Sequence, residues 1–464
     1  MFQGIIKKIH FVGIGGIGMS GIAEILLNQG FQISGSDLME TEITDRLKDL
    51  GIRIFLGHSS KNLNDADVLV YSSAVNEFNP EVQEAIERKI PVIKRSEMLA
   101  ECMRMKYGIG IAGTHGKTTT TSMVGLVLTK GEIDPTIIVG GKLSDLGGTN
   151  ARLGNGDYIV VEADEFDRTF LQLTPTIAAL TTLETEHLDT YKDLDDIKSA
   201  FVQFANKVPF FGFVVICLDE PALQDIIPLI NKKVITYGLT QQADVRAVEI
   251  THHDFTSTYT ALYRGEELGQ ITLQIPGKHN IKNSLVAVCI AKEMGIPFDT
   301  IKLSLESFLG VYRRFETKYN NDILVIDDYA HHPTEINASL YGIRSGWKRR
   351  LIAVFQPHLF SRTRDFYTEF GRSFLNSDKF ICTDIYPARE EPIDGISGEL
   401  IANAAKNFGH KDVIYQPDKN KVPELLMNIY KKDDIIITMG AGDIWKYGEK
   451  FIQMFNQKNI GSSH

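Results

Sequence analysis

A glycine-rich segment, Gly113-Thr114-His115-Gly116-Lys117-Thr118-Thr119, has residue types and spacing suited to holding the phosphates of a nucleotide. It follows an apolar stretch at residues 107–112 and precedes a segment of helical length. A glycine loop between a strand and a helix turns its backbone N–H groups towards phosphate oxygens, while the lysine reaches the β- and γ-phosphates and the threonine hydroxyl binds Mg²⁺. Ile111 stands where the full motif has a further glycine, so this is a shortened variant. The sequence predicts a phosphate-binding loop with Lys117 and Thr118 as its active side chains.

Three acids follow the next apolar stretch and can supply the magnesium ligand that such a loop requires. Glu162, Asp164 and Glu165 come directly after residues 158–161. Hard cations prefer carboxylate oxygen, and strand alternation places Glu162 and Asp164 on one side. We predict that Glu162 binds the metal, with a solvated acidic strand end as the alternative. His187 follows a further strand, but a single histidine in a polar loop is weak evidence of a ligand.

Another glycine cluster, Gly13 to Gly21, follows the first apolar stretch of the chain and contains Gly-x-Gly-x-x-Gly. Such a turn brings a pyrophosphate close to the backbone at a helix N-terminus. Asp37 follows at nearly the spacing of an acid that binds ribose, so NAD is the default ligand. However, Ser34-Gly35-Ser36 before this acid are small and polar rather than the apolar end of a strand. Another nucleotide diphosphate, or a turn without a ligand, remains open.

Two further polar clusters occupy the second half of the chain. Asn280 and Asn283 begin an apolar helix and can contact a base edge or, equally, cap the helix. The segment 327–332, Asp-Asp-Tyr-Ala-His-His, follows an apolar strand at the position where open α/β sheets bind ligands. After the next strand, Arg362 and Arg364 offer guanidinium groups for an anion, with a solvated basic helix start as the alternative.

The elements that position these residues alternate between short apolar runs and segments of helical length. Such alternation is typical of βαβ units and a parallel sheet, so the predicted class is α/β. The series restarts twice along the 464 residues, which predicts three domains at residues 1–105, 106–313 and 314–464. Alternating Thr, Tyr, Leu and Val between Asp244 and Gln274 predict a small added antiparallel sheet within the central domain.

Composition excludes several classes of protein. The chain is 43% hydrophobic and 23% charged, values of a globular protein rather than a disordered or fibrous one. A net charge of -10 disfavours binding to nucleic acid or to an anionic membrane, so bound anions must be held by local groups. Four scattered cysteines without a C-x-x-C pair argue against zinc and disulfides and indicate a cytoplasmic protein. We identify neither a secretory signal nor a membrane span.

Six motifs in one order, between residues 9 and 445, resemble the Mur ligases, the ATP-dependent amino-acid ligases of peptidoglycan synthesis. Any one of them is modest evidence, whereas their order is specific. They are the glycine cluster from Gly13, the phosphate loop from Gly113, Glu-Ala-Asp-Glu from Glu162, Gly-Lys-His-Asn from Gly277, Arg-Arg-Phe-Glu from Arg313 and Asp-Asp-Tyr-Ala-His-His-Pro-Thr-Glu from Asp327.

The resemblance implies a Rossmann-like N-terminal domain for a UDP-sugar, a central P-loop ATPase-type domain and a Rossmann-like C-terminal domain for an amino acid. It implies ATP and Mg²⁺ as cofactors, and UDP-N-acetylmuramate and L-alanine as substrates joined through an acyl phosphate. It carries over roles for the following residues: Gly15, Gly16, Ile17, Gly18, Met19, Ser20 and Asp37 near UDP; Lys117 and Thr118 at the γ-phosphate and Mg²⁺; Glu162 and His187 on Mg²⁺; His279, Asn280, Asn283 and Asp328 around adenosine; Arg314 at the phosphates; and His331 and Arg362 near the reacting carboxylate and alanine.

One departure from the family pattern affects the C-terminal site. Leu359 stands where the family often has arginine, and Arg389 is the candidate replacement. A carbamylated lysine cannot be assigned. The alternatives are a ligase of the same family that uses another amino acid or a muropeptide, a nicotinamide-dependent dehydrogenase, and a non-catalytic nucleotide-binding regulator. The oligomeric state is not predicted.

Overall fold

The computed structural model describes residues 6–72, 74–143, 149–166, 168–184, 190–388 and 390–461. The chain divides into two compact units. The first holds Met1–Glu249, Tyr259–Ile271 and Lys282–Phe308, and the second holds Ile250–Thr258, Thr272–Ile281 and Leu309–His464.

A five-stranded sheet begins the first unit, in the order β3-β2-β1-β4-β5. Every pairing between neighbouring strands is parallel, because a helix or a short helical segment returns the chain between strands. Its elements are β1 (Lys8–Val12), α1 (Ile17–Asn28), β2 (Gln32–Asp37), α2 (Glu42–Asp49), β3 (Arg53–Leu56), β4 (Val68–Tyr71), α3 (Pro80–Glu87), β5 (Val92–Lys94) and α4 (Arg95–Arg104). Strand β2 continues through Ser34-Gly35-Ser36 to Asp37, so small polar residues do form the end of this strand.

A ten-stranded sheet follows in the order β15-β14-β13-β12-β11-β10-β6-β9-β7-β8. Its elements are β6 (Tyr107–Ala112), α5 (Lys117–Lys130), β7 (Thr136–Leu143), β8 (Thr149–Arg152), β9 (Tyr158–Ala163), β10 (Ile177–Leu180), α6 (Leu194–Ala205), β11 (Phe213–Cys217), α7 (Pro221–Ile226), β12 (Val234–Gly238), β13 (Val245–His253), β14 (Thr256–Tyr263), β15 (Glu266–Leu273), α8 (Lys278–Glu293) and α9 (Phe298–Glu306). The central pairings are parallel, whereas β7 and β8 pair antiparallel, so the sheet is mixed. The strands expected to form a small added sheet extend this sheet at one edge.

A six-stranded sheet in the order β16-β17-β21-β18-β19-β20 lies in the second unit. Its elements are β16 (Glu316–Asn320), β17 (Leu324–Asp328), α10 (Pro333–Gly346), β18 (Leu351–Phe355), α11 (Phe360–Ser373), β19 (Lys379–Cys382), α12 (Gly398–Asn407), β20 (Val413–Tyr415), α13 (Val422–Ile429), β21 (Ile435–Met439) and α14 (Trp445–Gly461). Both faces are buried: Leu324 and Ile326 pack into one core, and Ile323 and Val325 into the other. Burial on both faces explains why these strands read as continuous apolar runs.

The four cysteines, Cys102, Cys217, Cys289 and Cys382, are free thiols and are all buried. Burial raises the pKa of the Cys102 and Cys217 thiols to about 12. No helix among the described residues is long and apolar enough to cross a membrane.

Candidate functional site

The predicted phosphate loop connects β6 to α5, which begins at Lys117. Gly113 and Gly116 have φ values of 146° and 81°, a conformation that glycine adopts without strain. Neither position has room for a side chain: a Cβ on Gly113 would lie 2.0 Å from the Thr181 hydroxyl oxygen, and one on Gly116 2.7 Å from Asn283 Oδ1. The loop therefore requires glycine at both ends, and Asn283 of α8 lies beside it.

Two threonines that follow β10 hold the loop in shape. The Thr181 hydroxyl donates to the His115 carbonyl at 2.6 Å, and the His115 N–H donates to the Thr182 hydroxyl at 2.8 Å. The Thr114 N–H donates to the Thr182 carbonyl at 3.1 Å. Sequence reasoning missed this support, although β10 pairs with β6 and the threonines directly follow its apolar residues. The neighbouring strand thus sets the direction of the loop's backbone groups.

The Lys117 ammonium group is held at the loop by acceptors on two sides. It donates to the Gly113 carbonyl at 2.7 Å and to the Glu165 carboxylate oxygens at 2.8 and 3.0 Å. Glu165 is buried, and its own carbonyl accepts a hydrogen bond from the Tyr191 hydroxyl at 2.7 Å. Sequence analysis named Glu165 only as one of three acids that could bind magnesium, with Glu162 preferred. The structure makes it the residue that orients Lys117.

Glu162 lies at the end of β9, beside Thr118 and Lys117. Burial raises its pKa, while hydrogen bonds from the Gly140 backbone and the Thr118 side chain and the charge of Lys117 act in the opposite direction. Its Oε1 atom is buried and has no hydrogen-bond partner among the described residues. A buried carboxylate oxygen left without a donor, next to a threonine hydroxyl, fits the oxygen ligands of a hard divalent cation. His187 lies outside the described residues, so its part in this site stays a prediction.

The first glycine cluster connects β1 to α1 and is held by the end of β2. The Gly13 and Ile14 N–H groups donate to the Ser36 carbonyl at 2.9 and 3.1 Å, and the Gly15 N–H donates to Asp37 Oδ2 at 2.8 Å. Asp37 therefore braces the turn itself. Further along the predicted UDP segment, Gly16 is exposed, whereas the side chains of Met19 and Ser20 are buried in the first turns of α1.

A basic residue that sequence reasoning missed lies against this helix start. Arg95, the first residue of α4, has its Nη1 atom 2.8 Å from where a Cβ on Gly18 would be. The only signal in the sequence was a basic pair, Lys94-Arg95, directly after an apolar strand. A guanidinium group close to exposed N–H groups at a helix N-terminus supplies charge for a bound anion.

A buried glutamate, Glu81 of α3, connects several elements near the end of β2. Its carboxylate accepts hydrogen bonds from His10 Nε2 at 3.0 Å, the Ser36 hydroxyl at 2.6 Å, the Ser59 N–H at 3.0 Å and Asn62 Nδ2 at 2.7 Å. Burial alone would raise the pKa of Glu81, but these hydrogen bonds lower it to about 2. Both oxygens of this carboxylate therefore accept hydrogen bonds from groups of the protein itself.

The segment expected around adenosine begins α8. Gly277 has a φ of 100°, and a Cβ there would lie 2.6 Å from the His279 ring. Asn280 is buried and donates from its side-chain amide to the Pro276 carbonyl at 2.7 Å. This hydrogen bond ties the first turn of α8 to the Pro276 carbonyl, and contact of Asn280 with a nucleotide base stays a prediction.

Two residues that were predicted to lie near ATP, Asp328 at the end of β17 and Arg314, have charged neighbours. Burial raises the pKa of Asp328 to about 6, although the Ser339 hydroxyl donates to its carboxylate. Arg314 donates to Glu335 Oε1 at 3.2 Å, and its guanidinium group lies over the Tyr329 ring.

The structure brings His331 and Arg362 to the same neighbour, His358. The rings of His331 and His358 have centroids 6.1 Å apart. Burial, followed by the charge of Arg362, lowers the pKa of His358 to about 4, so this histidine is neutral at physiological pH. Nδ1 of His331 lies 3.0 Å from the Tyr329 carbonyl, which can only accept, so this nitrogen carries a proton. Leu359 has a φ of 73°, and Arg389 lies outside the described residues.

Three family models match successive parts of the chain. They are described as Mur ligase family, catalytic domain, at residues 8–107; Mur ligase middle domain, at 111–291; and Mur ligase, glutamate ligase domain, at 313–442. The UDP-N-acetylmuramate–L-alanine ligase of Geotalea uraniireducens is 56% identical over 97% of this chain and 98% of its own. The protein of the same name from Geobacter sulfurreducens is 52% identical over 97% of this chain and 98% of its own.

Solved structures agree on the fold. A UDP-N-acetylmuramate-alanine ligase from Thermotoga maritima superimposes with a TM-score of 0.80 at 29% identity, covering 97% of this chain and 99% of that one. A murein peptide ligase from Psychrobacter arcticus gives a TM-score of 0.69 at 25% identity, covering 96% of this chain and 98% of that one.

Proposed function

The chain belongs to the Mur ligase family, and we propose that it joins L-alanine to the lactoyl carboxylate of UDP-N-acetylmuramate, with conversion of ATP to ADP and phosphate. The reaction supplies a precursor of peptidoglycan, and we place it in the cytoplasm. Support comes from relatives of that name at 50–56% identity over nearly the whole chain. The observation that carries the chemistry is the phosphate loop, with Lys117 and Thr118 beside the buried oxygen of Glu162.

The difficulty in this reaction is that a carboxylate must attack a phosphate, so two anions meet. Lys117 would bind the β- and γ-phosphates, and Glu165 orients its ammonium group. Thr118 and Glu162 would hold Mg²⁺, which when bound offsets the charge of the phosphates. In the first step a lactoyl oxygen attacks the γ-phosphorus, the bond to the bridging oxygen breaks, and ADP leaves with the electron pair. The product is an acyl phosphate.

In the second step the amine of L-alanine attacks the acyl carbon, and the bond from this carbon to the phosphate oxygen breaks. The amine must lose a proton. Nδ1 of His331 lies 3.0 Å from the Tyr329 carbonyl and 3.3 Å from Glu335 Oε2, and these two acceptors stabilise the ring when it takes up a proton. We therefore assign proton acceptance to His331 and carboxylate binding to Arg362, whose charge lies near His358.

The UDP part of the substrate would bind at the first glycine cluster. The backbone N–H groups of Ile17 and Gly18, at the start of α1, and the Arg95 guanidinium group would contact the pyrophosphate. Asp37 contributes by holding Gly15 in place. A dehydrogenase would use this cluster for NAD, but it would give no role to a second nucleotide loop with a lysine and a buried carboxylate.

The test is release of phosphate by the full chain with ATP, Mg²⁺, UDP-N-acetylmuramate and a panel of L-alanine, L-serine, glycine and a muropeptide-type tripeptide. We expect release that requires both UDP-N-acetylmuramate and L-alanine. Faster release with the tripeptide would favour the murein peptide ligase activity named for the Psychrobacter arcticus protein. Release without any acceptor, or none under all conditions, would contradict the proposal.

A further inference from the structure

The hairpin formed by β13 and β14 reaches the segment that is expected around adenosine. Strand β13 ends at His253 and β14 begins at Thr256, and we call residues 252–257 the hairpin tip. The hairpin tip, the turn at residues 276–277 that precedes α8, and α10 all belong to the second compact unit. Three segments that are far apart in the sequence thus come together around this turn.

A buried serine of the hairpin tip holds the turn in place. The Gly277 N–H donates to the Ser257 hydroxyl oxygen at 3.1 Å, and this oxygen lies 3.0 Å from Nδ1 of His252. Ser257 is fully buried. Burial, followed by the charge of Lys278, lowers the pKa of His252, so its ring is neutral at physiological pH and can accept the serine proton. Ser257 therefore links the turn to β13 through one hydroxyl group.

The turn controls how α8 begins. The Gly277 carbonyl accepts a hydrogen bond from the Asn280 N–H at 3.0 Å, which closes the first turn of the helix. Gly277 also has a positive φ and no room for a Cβ beside the His279 ring. The backbone at Gly277 therefore sets where His279 and Asn280 lie. Hydrogen bonds within α8 leave this backbone free to move with the helix, whereas the bond to Ser257 ties it to the sheet.

The hairpin tip is itself fixed to α10. The rings of Phe255 and Trp347 pack edge to face, with centroids 4.9 Å apart, and Trp347 is buried directly after the end of α10. A Cβ on Gly346 would lie 2.6 Å from the Asp254 carbonyl oxygen, so glycine is needed for this close approach. Hairpin turns are ordinarily polar, and the apolar Phe255 is explained by this contact. The tip therefore offers Ser257 from a fixed support.

We infer that Ser257 is a positioning residue for ATP, because it holds the turn at Gly277 so that His279 and Asn280 are placed to contact adenosine. The inference rests on the proposed function, since it requires ATP as the nucleotide and residues 277–280 as the segment around adenosine. Ser257 itself does not touch the reacting atoms in this role. It acts through the backbone of the turn.

Loss of the Ser257 hydroxyl should weaken the binding of adenosine and leave the binding of the phosphates unchanged. Without this hydroxyl the buried Gly277 N–H has no acceptor, so the turn relaxes in the free protein and must be ordered again when adenosine binds. The cost appears in the affinity for ATP. The phosphates have a separate loop at residues 113–118, so a ligand that carries phosphates without adenosine should bind as before.

Isothermal titration calorimetry of the full chain with Mg²⁺ and either ATP or inorganic tripolyphosphate tests the inference. We expect Ser257→Ala to raise the Kd for ATP roughly ten-fold and to leave the Kd for tripolyphosphate within about two-fold of the wild type. Ser304→Ala is the matched control, because Ser304 is equally buried but its hydroxyl donates to the Thr300 carbonyl within α9 at 2.6 Å. This control should bind both ligands as the wild type does.

Steady-state kinetics give a second readout that a purely structural hydrogen bond would not change. In Ser257→Ala the KM for ATP should rise by a similar factor, while kcat at saturating ATP and the KM for UDP-N-acetylmuramate stay near the wild-type values. Phe255→Ala, which loosens the tip without removing the hydroxyl, should raise the Kd for ATP by about three-fold. It provides the same test if Ser257→Ala does not fold.

Two outcomes would overturn the positioning role of Ser257. One is an unchanged Kd for ATP in a folded Ser257→Ala variant, and the other is an equal loss of affinity for ATP and tripolyphosphate. A wild type that binds ATP but releases no phosphate with any acceptor would contradict the proposed function alone, because the two calorimetric affinities do not depend on turnover. A wild type that does not bind ATP would overturn both.

Discussion

Glu81 is buried and Glu162 is partly buried; both lie beside glycine loops, yet their environments are opposite. Glu81 lies near the first loop and accepts four hydrogen bonds, so its pKa is lowered to about 2 despite burial. Glu162 lies beside the second loop and keeps a buried oxygen without a partner among the described residues, and burial raises its pKa. A carboxylate with every oxygen satisfied stabilises the protein, whereas one with an unsatisfied oxygen is suited to a ligand.

The two glycine loops also differ in the charged groups that surround them. The first is braced by Asp37, which takes up the Gly15 N–H, and has a guanidinium group, Arg95, at its helix. The second has Lys117 and two carboxylates, Glu162 and Glu165, close together. An arrangement of backbone donors serves binding, while an ammonium group beside a carboxylate that can bind a metal ion serves phosphoryl transfer.

Replacing Lys117 should have the largest effect, because it removes the side-chain cation that the loop itself supplies to the β- and γ-phosphates. We expect Lys117→Ala to lower kcat for phosphate release by roughly a thousand-fold or more, with thermal unfolding near that of the wild type. Lys130→Ala, at the other end of α5, is the control and should keep normal turnover. Near-normal turnover in Lys117→Ala would refute the phosphate-loop assignment.

Glu162→Gln tests whether the unsatisfied oxygen binds magnesium. The amide keeps the shape but not the charge, so we expect kcat to fall roughly a hundred-fold and the Mg²⁺ concentration for half-maximal rate to rise. Asp164→Asn, two residues away and more exposed, should change the rate by less than about three-fold. An unchanged Mg²⁺ requirement in Glu162→Gln would remove this residue from the metal site.

Glu81→Gln should affect stability and leave kcat unchanged. The neutral amide cannot accept every hydrogen bond that the carboxylate accepts, so we expect the free energy of unfolding to fall by about 3 kcal/mol at pH 7. Since the folded-state pKa is lowered to about 2, the wild type should lose this advantage as pH falls from about 4.5 towards 2. Urea unfolding of the wild type and of Glu81→Gln across this pH range measures the loss of stability.

Glu87→Gln, on an exposed position of the same helix, is the control for Glu81 and should unfold like the wild type. If Glu81→Gln instead abolished turnover while keeping full stability, Glu81 would belong to the chemistry and the contrast with Glu162 would fail.

Replacing Asp328 should have the smallest effect on stability, and the pH dependence should be opposite to that of Glu81. Its folded-state pKa is raised to about 6, so its contribution to stability is present below about pH 4 and is lost as pH rises through 6. Asp328→Asn cannot ionise, and its stability relative to the wild type should increase by about 2 kcal/mol between pH 4 and 7. Thermal unfolding at several pH values measures the difference, and a constant difference would contradict the assigned burial.

Much of the fold could be predicted from local patterns. The βαβ alternation of apolar runs and helices predicted the α/β class, and glycine spacing predicted both loops, because their conformations require glycine. Where β2 ends was less clear, since Ser34-Gly35-Ser36 are small and polar but form parallel pairs with β1 and β3. Pairing with neighbouring strands outweighs local preference there.

The partners of the site residues could not be predicted in the same way. Three of these partners are Glu165, Arg95 and Thr182. Each contacts a residue between 48 and 77 positions away, and the neighbouring sequence gives no sign of these contacts. The same is true of Glu81, which resembles any acid in the first turn of a helix until its four donors are seen. Residue type predicts a possible chemistry, whereas long-range packing decides which groups are already satisfied.

The four buried cysteines allow local opening of the chain to be measured by thiol labelling. Cys102 lies in α4, Cys217 in β11, Cys289 in α8 and Cys382 in β19, so thiols are distributed over the regions of all three sheets. A thiol reagent attacks the thiolate, and burial both shields these sulfurs and raises their pKa. Labelling must therefore wait until a region opens. Identifying the labelled peptides at increasing times would rank the regions by how readily each one opens.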